Sequence, residues 1–350
     1  MRILLTLAGT AVCLWGLTGC VISDFGPSDR FHTEFHNTYP LQPKARIDVE
    51  SFNGSIEIEG WDRNEIEISG SKYASTEEAR DDIKIDIHHT DDSVEIRAIK
   101  PSSRHDNMGA KFTLRVPRNA EVDRVTTSNA SIQVQDVARA AHLKSSNGSV
   151  KVTNVHGRVD AHTSNSAIDV ESLDGEVTLE SSNGHIHAEN MTGSLQASTS
   201  NSGIVVDMKT SPATPLRLHS SNGSIELTLR QTPQSDIKAD TSNSSITLHL
   251  PSDTAGRITA DTSNSDVSCD FGIDGENRKG HLKGTIGTGG HSIELSTSNG
   301  HIRIGKGVKG DSSGLKKKES KSAQSGAPAA QWAGAFSCPI TGKREPWIDV

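Results

Sequence analysis

Thr163-Ser164-Asn165-Ser166 and Ser181-Ser182-Asn183-Gly184 stand 18 residues apart, and the same tetrad keeps that beat on either side of them. Thr127-Ser128-Asn129-Ala130 and Ser145-Ser146-Asn147-Gly148 come before, and Thr199-Ser200-Asn201-Ser202 comes after. The interval then lengthens to 21 residues through Asn222, Asn243 and Asn264, and isolated copies stand at Asn53 and Asn299. Ile or Val follows every one of these asparagines by three residues, from Ile56 through Ile168 to Ile302. A second small or apolar residue follows by five, as in Val152, Val170 and Ala188. Two more precede it by six and four, as in Val159/Ala161 and Val177/Leu179. Apolar positions two apart are the mark of a half-buried strand, so each repeat is two short strands.

The asparagine marks the turn between them, because Asn tolerates the left-handed conformation and Gly or Ser beside it suits a tight bend. Counting by twos along the first strand puts the Ser/Thr and the asparagine on the inward face. The expectation is therefore an internal amide ladder built from Asn129, Asn147, Asn165, Asn183, Asn201, Asn222, Asn243 and Asn264. A second turn falls about ten residues later, at Val155-His156-Gly157, Leu173-Asp174-Gly175 and Met191-Thr192-Gly193. In the longer repeats it becomes a Pro-containing loop such as Ser211-Pro212-Ala213-Thr214-Pro215.

Two strands cannot close a core alone, but copies stacked about 4.8 Å apart make continuous internal columns. Each buried Val, Ile or Leu contributes on the order of 1.5–3 kcal/mol. That sustains a stack in a chain with only 4% aromatic residues. The predicted fold is all-β: a β-solenoid (β-helix or β-roll) of 18- and 21-residue rungs, with an N-terminal β-rich cap and a disordered C-terminal tail.

Composition shifts divide the chain further. Arg2 precedes an apolar run, Ile3 to Leu17, with the layout of a secretory signal. Leu17-Thr18-Gly19-Cys20 at its end resembles the bacterial lipoprotein lipobox, which implies a signal peptide over 1–19 and a lipid such as palmitate on Cys20. Residues 20–45 read as a polar spacer. Residues 46–121 read as a first rung plus a cap, in which Asp91-Asp92 marks a hairpin and Ser75 to Ala79 opens one short helix. The solenoid proper is placed at 122–308, with 271–290 as an irregular loop and Asn299 beginning the final rung. Residues 309–350 are rich in Ser, Gly, Lys and Ala and cannot bury a core. Cys269 falls on an inward column and reads as a buried thiol, and Cys338 falls in the tail.

A formal charge of −8 gives no reason to expect nucleic acid. Ser and Thr recur in every rung, which suits a structural ladder rather than a single nucleophile. One outward line, Lys151, Asp169 and His187 on successive rungs with His185 beside His187, reads as a solvated mixed-charge face, where a polysaccharide-cleaving site would instead need clustered carboxylates or Arg/Lys in a groove. Two histidines without a third ligand make a weak metal site, and no cofactor is expected.

The alternating Ser-Ser-Asn-Gly and Thr-Ser-Asn-Ser tetrads resemble the bacterial DUF4097 family over roughly residues 46–305. That resemblance implies a cell-envelope solenoid of the adhesin type and supplies no catalytic residues. The expected protein is a lipid-anchored, non-enzymatic envelope scaffold, on the outer membrane if the source is Gram-negative. Its expected partners are the membrane, through the lipid, and an envelope polysaccharide or protein. Two other readings compete: an envelope-stress sensor or regulator that docks a protein partner, and a carbohydrate-active β-helix enzyme.

Overall fold

The computed structural model describes residues 31–102 and 107–307. The chain divides into two units, Met1–Gly310 and Asp311–Val350. The second unit, the signal segment, Cys20 and Cys338 all lie outside the described residues.

Each rung is a pair of strands hydrogen-bonded in parallel, and in register, to the rungs above and below. Val159–Thr163, for example, pairs with residues 177–181, and Ile168 to Val170 pair with Ile186 to Ala188. Two unbroken strands, Ile168–Ser181 and Ile186–Thr199, run from the second wall of one rung into the first wall of the next. The inward columns are sealed: Ile132, Val150, Ile168, Ile186 and Ile204 are all 0% exposed.

Both ends of the stack are reversed into antiparallel hairpins. At the N-terminal end the first wall closes with Lys84–His89 on Ser93–Ile99. The second wall closes with Phe31–Pro40 on Glu65–Ala74, which lies on Met108–Pro117. The expected spacer over 20–45 is thus corrected at Phe31–Pro40. That segment is a polar edge strand, held because Glu65–Ala74 supplies a free edge. The helix Glu77–Asp81 is capped by Thr76, whose Oγ1 accepts from the Ala79 amide at 3.2 Å. At the C-terminal end, residues read as an irregular loop are a hairpin. Ile273–Arg278 pairs with His281–Ile286, which covers the free edge of Gly256–Thr262.

The rungs do not stack in chain order. The last rung, Ser292–Thr297 with Ile302–Lys306, lies between the Asn243 and Asn264 rungs. Ile293 pairs with Ile237 on one side and Ile258 on the other, and Ile302 pairs with Ile246 and Val267. The first rung is likewise one layer in, between Ser93–Ile99 and Met108–Pro117 outside and the Asn129 rung inside.

The expected inward asparagine is corrected too. All eight asparagines of the expected ladder are exposed, as is Asn299, and Asn53 is half-buried. The strand ends at the residue two before the asparagine, and this Ser or Thr is the last inward side chain: Thr163 is 6% exposed and Ser220 0%. Beyond it the chain is already turning, so strand parity no longer applies.

Candidate functional site

Two polar columns run along this first corner. Inside, each Ser or Thr hydroxyl donates to the carbonyl following the asparagine of the rung below. Examples are Ser145 to Ala130 at 3.0 Å, Thr163 to Gly148 at 2.9 Å and Thr199 to Gly184 at 3.0 Å. Outside, the asparagines form one directional ladder. Asn147, Asn165, Asn183 and Asn201 each donate Nδ2 to the preceding Oδ1 at 2.6, 2.6, 2.8 and 2.7 Å. Asn222, Asn243, Asn299 and Asn264 continue it at 2.9, 2.7, 2.8 and 2.7 Å. Asn129 donates to Asn53, which ends the ladder on the Met108 carbonyl at 3.0 Å.

The residue after the asparagine alternates along the stack. In spatial order it is Gly54, Ala130, Gly148, Ser166, Gly184, Ser202, Gly223, Ser244, Gly300 and Ser265. A Cβ on Gly184 would stand 1.5 Å from the Ser166 carbonyl oxygen, and one on Gly300 1.7 Å from that of Ser244. In the glycine rungs the freed amide donates to its own rung's hydroxyl, as Gly184 does to Ser181 at 2.9 Å.

The second corner has its own column. Asp136, Asn154, Ser172 and Asn190 take positive φ of 57°, 53°, 57° and 55°. Each precedes a buried apolar residue: Val137, Val155, Leu173 and Met191. Asn154 Nδ2 donates to Asp136 Oδ1 at 2.6 Å. The corner therefore begins one residue before the place expected from the sequence.

The walls carry the charged groups. Lys151, Asp169 and His187 are register neighbours and line a shallow depression of about 230 Å³ with Thr153, Glu171 and Glu189. They do not form a relay. His187 Nε2 lies 3.7 Å from Glu189 on its own strand, and it is His185 Nε2 that reaches Asp169, at 3.8 Å. Among the described residues, no cluster of three or more His, Cys, Asp or Glu side chains is arranged to hold a metal.

The opposite wall carries a denser row that the sequence reading did not single out. His142 Nδ1 stands 3.3 Å from Asp160 Oδ2, and His162 lies between two carboxylates, 2.7 Å from Asp160 and 3.1 Å from Glu180. Further along, His219 contacts Asp240, and His281 contacts Asp261. Aligning the outward positions five and three before each asparagine would have revealed this row except for His281, which the C-terminal hairpin brings opposite Asp261. On the same wall Asp48 has a buried Oδ1 that accepts no hydrogen bond among the described residues, with Arg124 Nε 3.8 Å away. Burial, and then the neighbouring Asp123, push its carboxyl above the usual range.

Cys269 is a free thiol and only half-buried. It lies in the second-wall strand Val267–Cys269, which among the described residues is paired on one side alone, with Ile302–Lys306, and this corrects the expected buried position. Burial still raises its titration above that of an ordinary thiol.

The family model described as Toastrack DUF4097 matches residues 44–305. The chain belongs to this family. Two solved structures share low identity with this DUF4097 protein. One is a candidate cell adhesion protein from Clostridium sporogenes, 13% identical, covering 79% of this chain and 100% of its own, with a TM-score of 0.18. The other is a candidate adhesin from Bacteroides fragilis, 14% identical, covering 78% and 97%, with a TM-score of 0.33. Comparison with curated proteins gives no match.

Proposed function

We propose that this DUF4097 protein is a lipid-anchored, non-enzymatic solenoid of the cell envelope whose walls bind a repeating or multivalent partner, an envelope polysaccharide or protein. One observation carries the reading. Outward side chains on both walls form rows in register from rung to rung, as in Lys151, Asp169, His187 and Val205. Rows of single, varied groups at strand spacing suit many weak contacts made at once, and linked weak contacts multiply in strength without any one being tight. His187 Nε2 stands 3.7 Å from Glu189, longer than the hydrogen bond by which an acid orients a catalytic base, and this favours the non-enzymatic reading. Anchoring rests on Leu17-Thr18-Gly19-Cys20.

The test takes the full-length protein from its membrane, with metabolic lipid labelling of the parent and of Cys20→Ser. Purified parent is then offered to immobilised envelope polysaccharides and proteins, with turnover assayed in parallel. Label lost in Cys20→Ser and saturable binding without turnover are expected. Cleavage abolished by Asp169→Ala would overturn the non-enzymatic reading, and failure to bind any envelope component would overturn the binding one.

A further inference from the structure

Five asparagines of the first corner are followed by glycine: Asn53, Asn147, Asn183, Asn222 and Asn299. Asn-Gly is the dipeptide most prone to spontaneous deamidation, because no side chain shields the glycine nitrogen and its backbone bends most freely. In that reaction the glycine nitrogen loses its proton to base and attacks the asparagine Cγ. A nitrogen–carbon bond forms, the Cγ–Nδ2 bond breaks and ammonia leaves, giving a succinimide ring. Water then opens the ring to aspartate or isoaspartate. Either product interrupts the ladder, since a carboxylate has no Nδ2 to donate. Isoaspartate also reroutes the main chain through the former side chain.

In the folded protein the nitrogen is held at four of the five sites. The Gly148, Gly184 and Gly223 amides each donate at 2.9 Å to the buried hydroxyl of their own rung, on Ser145, Ser181 and Ser220. The Gly300 amide donates to Thr297 at 3.2 Å. All four glycines are buried. A buried, hydrogen-bonded amide gives up its proton only when the local structure opens, and loss of that proton begins deamidation. The carboxamides are held as well. Asn183, for example, gives Nδ2 to Asn165 and receives Asn201 on Oδ1.

The amide-to-hydroxyl bond falls where the sequence is most reactive. Where Ala or Ser follows the asparagine, a Cβ already hinders attack. In those rungs the hydroxyls of Thr163, Thr199, Thr241 and Thr262 bond to a neighbouring rung's carbonyl and, among the described residues, receive no amide of their own rung. Gly54 is the contrast within the glycine set. It takes a φ of 135°, and its amide donates to no group among the described residues. The Asn53 carboxamide is nevertheless held at both ends, by the Met108 carbonyl and by Asn129. What separates this site from the other four is therefore the nitrogen.

We propose that the buried hydroxyls of Ser145, Ser181, Ser220 and Thr297 protect the Asn-Gly bonds of the ladder from deamidation, leaving Asn53–Gly54 as the site that reacts first in the folded protein. The inward column that joins the rungs thereby keeps the outward column chemically intact.

The full-length protein, folded and in urea, is incubated at mildly alkaline pH and mapped by peptide mass spectrometry. In urea all five sites are expected to convert at comparable rates. Folding is expected to slow Asn147, Asn183, Asn222 and Asn299 at least about tenfold, and Asn53 by less. Equal rates folded and unfolded at the four, or Asn53 protected as strongly as they are, would overturn the proposal. Ser181→Ala takes the acceptor from the Gly184 amide. It is expected to speed conversion at Asn183 at least about threefold while Asn147 and Asn222 stay unchanged, and Ser181→Thr is expected to restore the parent rate. Thr199→Ala separates protection from loosening, because it removes the bond to the Gly184 carbonyl and leaves the Gly184 amide on Ser181. An unchanged rate at Asn183 is expected there, and a rise equal to that of Ser181→Ala would refute the protective role.

Discussion

The amide ladder makes a prediction about coupling that few other features of the molecule can imitate. Asn165→Ala breaks two bonds, one of 2.6 Å to Asn147 and one of 2.8 Å from Asn183. Asn183→Ala also breaks two, the same 2.8 Å bond and the 2.7 Å bond from Asn201. The double variant breaks three, because the bond between them is shared. At a net value of about 0.5–1 kcal/mol for each exposed neutral bond, each single change costs about 1–2 kcal/mol and the pair about 1.5–3 kcal/mol. The pair therefore costs less than the sum of its parts by about one bond, 0.5–1 kcal/mol. Asn165→Ala with Asn222→Ala is the control, since Asn222 binds Asn201 and Asn243 and shares nothing with Asn165. That pair is expected to be additive. Urea unfolding followed by circular dichroism on the parent, three single and two double variants closes both cycles. Equal additivity in the two cycles would refute the ladder as an energetic unit, whatever the geometry shows.

Inside the corner, Thr163→Val keeps the shape but leaves the Gly148 carbonyl without its donor, at a cost of about 1–3 kcal/mol. Thr163→Ser is expected to recover most of that in the same melting assay. Gly184→Ala puts a methyl 1.5 Å from a backbone oxygen and is expected to cost about 2–4 kcal/mol, whereas Ser166→Ala, which leaves that oxygen in place, lowers the melting temperature little. Asp48→Asn gives the pH test. The raised carboxyl means that folding is penalised once Asp48 is ionised, so this contribution is favourable at low pH and lost as pH rises through the folded value. The asparagine variant should melt above the parent at pH 7, with the gap closing as pH falls below the ordinary Asp value. A gap independent of pH would refute the assignment.

The period, the inward apolar columns and the two corners were all legible in the sequence, because each is a local pattern repeated until chance is excluded. The outward direction of Asn165 was not, since counting by twos was carried past Thr163, where the strand ends. The position of the last rung was also missed. Its trace was nevertheless present: glycine alternates with Ala or Ser after each asparagine until Ser244 is followed by Ser265, and Gly300 is the missing member. Phe31–Pro40 gave no such trace. Its polar residues read as a spacer, and only the partner strand, 25 or more residues away in sequence, makes it a strand. The His142–Asp160–His162–Glu180 row stayed hidden because outward positions of the first strand vary in type, and only register brings them together.

The two corners differ in what they tolerate. Every change of rung length, from 18 to 21 residues, falls at the second corner, in 209–215, 230–236 and 251–255, while the Ser-Asn tetrads opposite keep their form. Across these longer rungs the walls hold register, with Ile204 on Ile225 and Leu216 on Ile237. The loops are also braced against one another, Ser235 Oγ on the Thr214 carbonyl at 2.7 Å and the Gln234 amide on Ser211 Oγ at 2.7 Å. Insertions can therefore accumulate along a single edge, each new segment arriving beside an existing support. Along that edge a lineage can diversify its chemistry while the rest of the scaffold stays fixed.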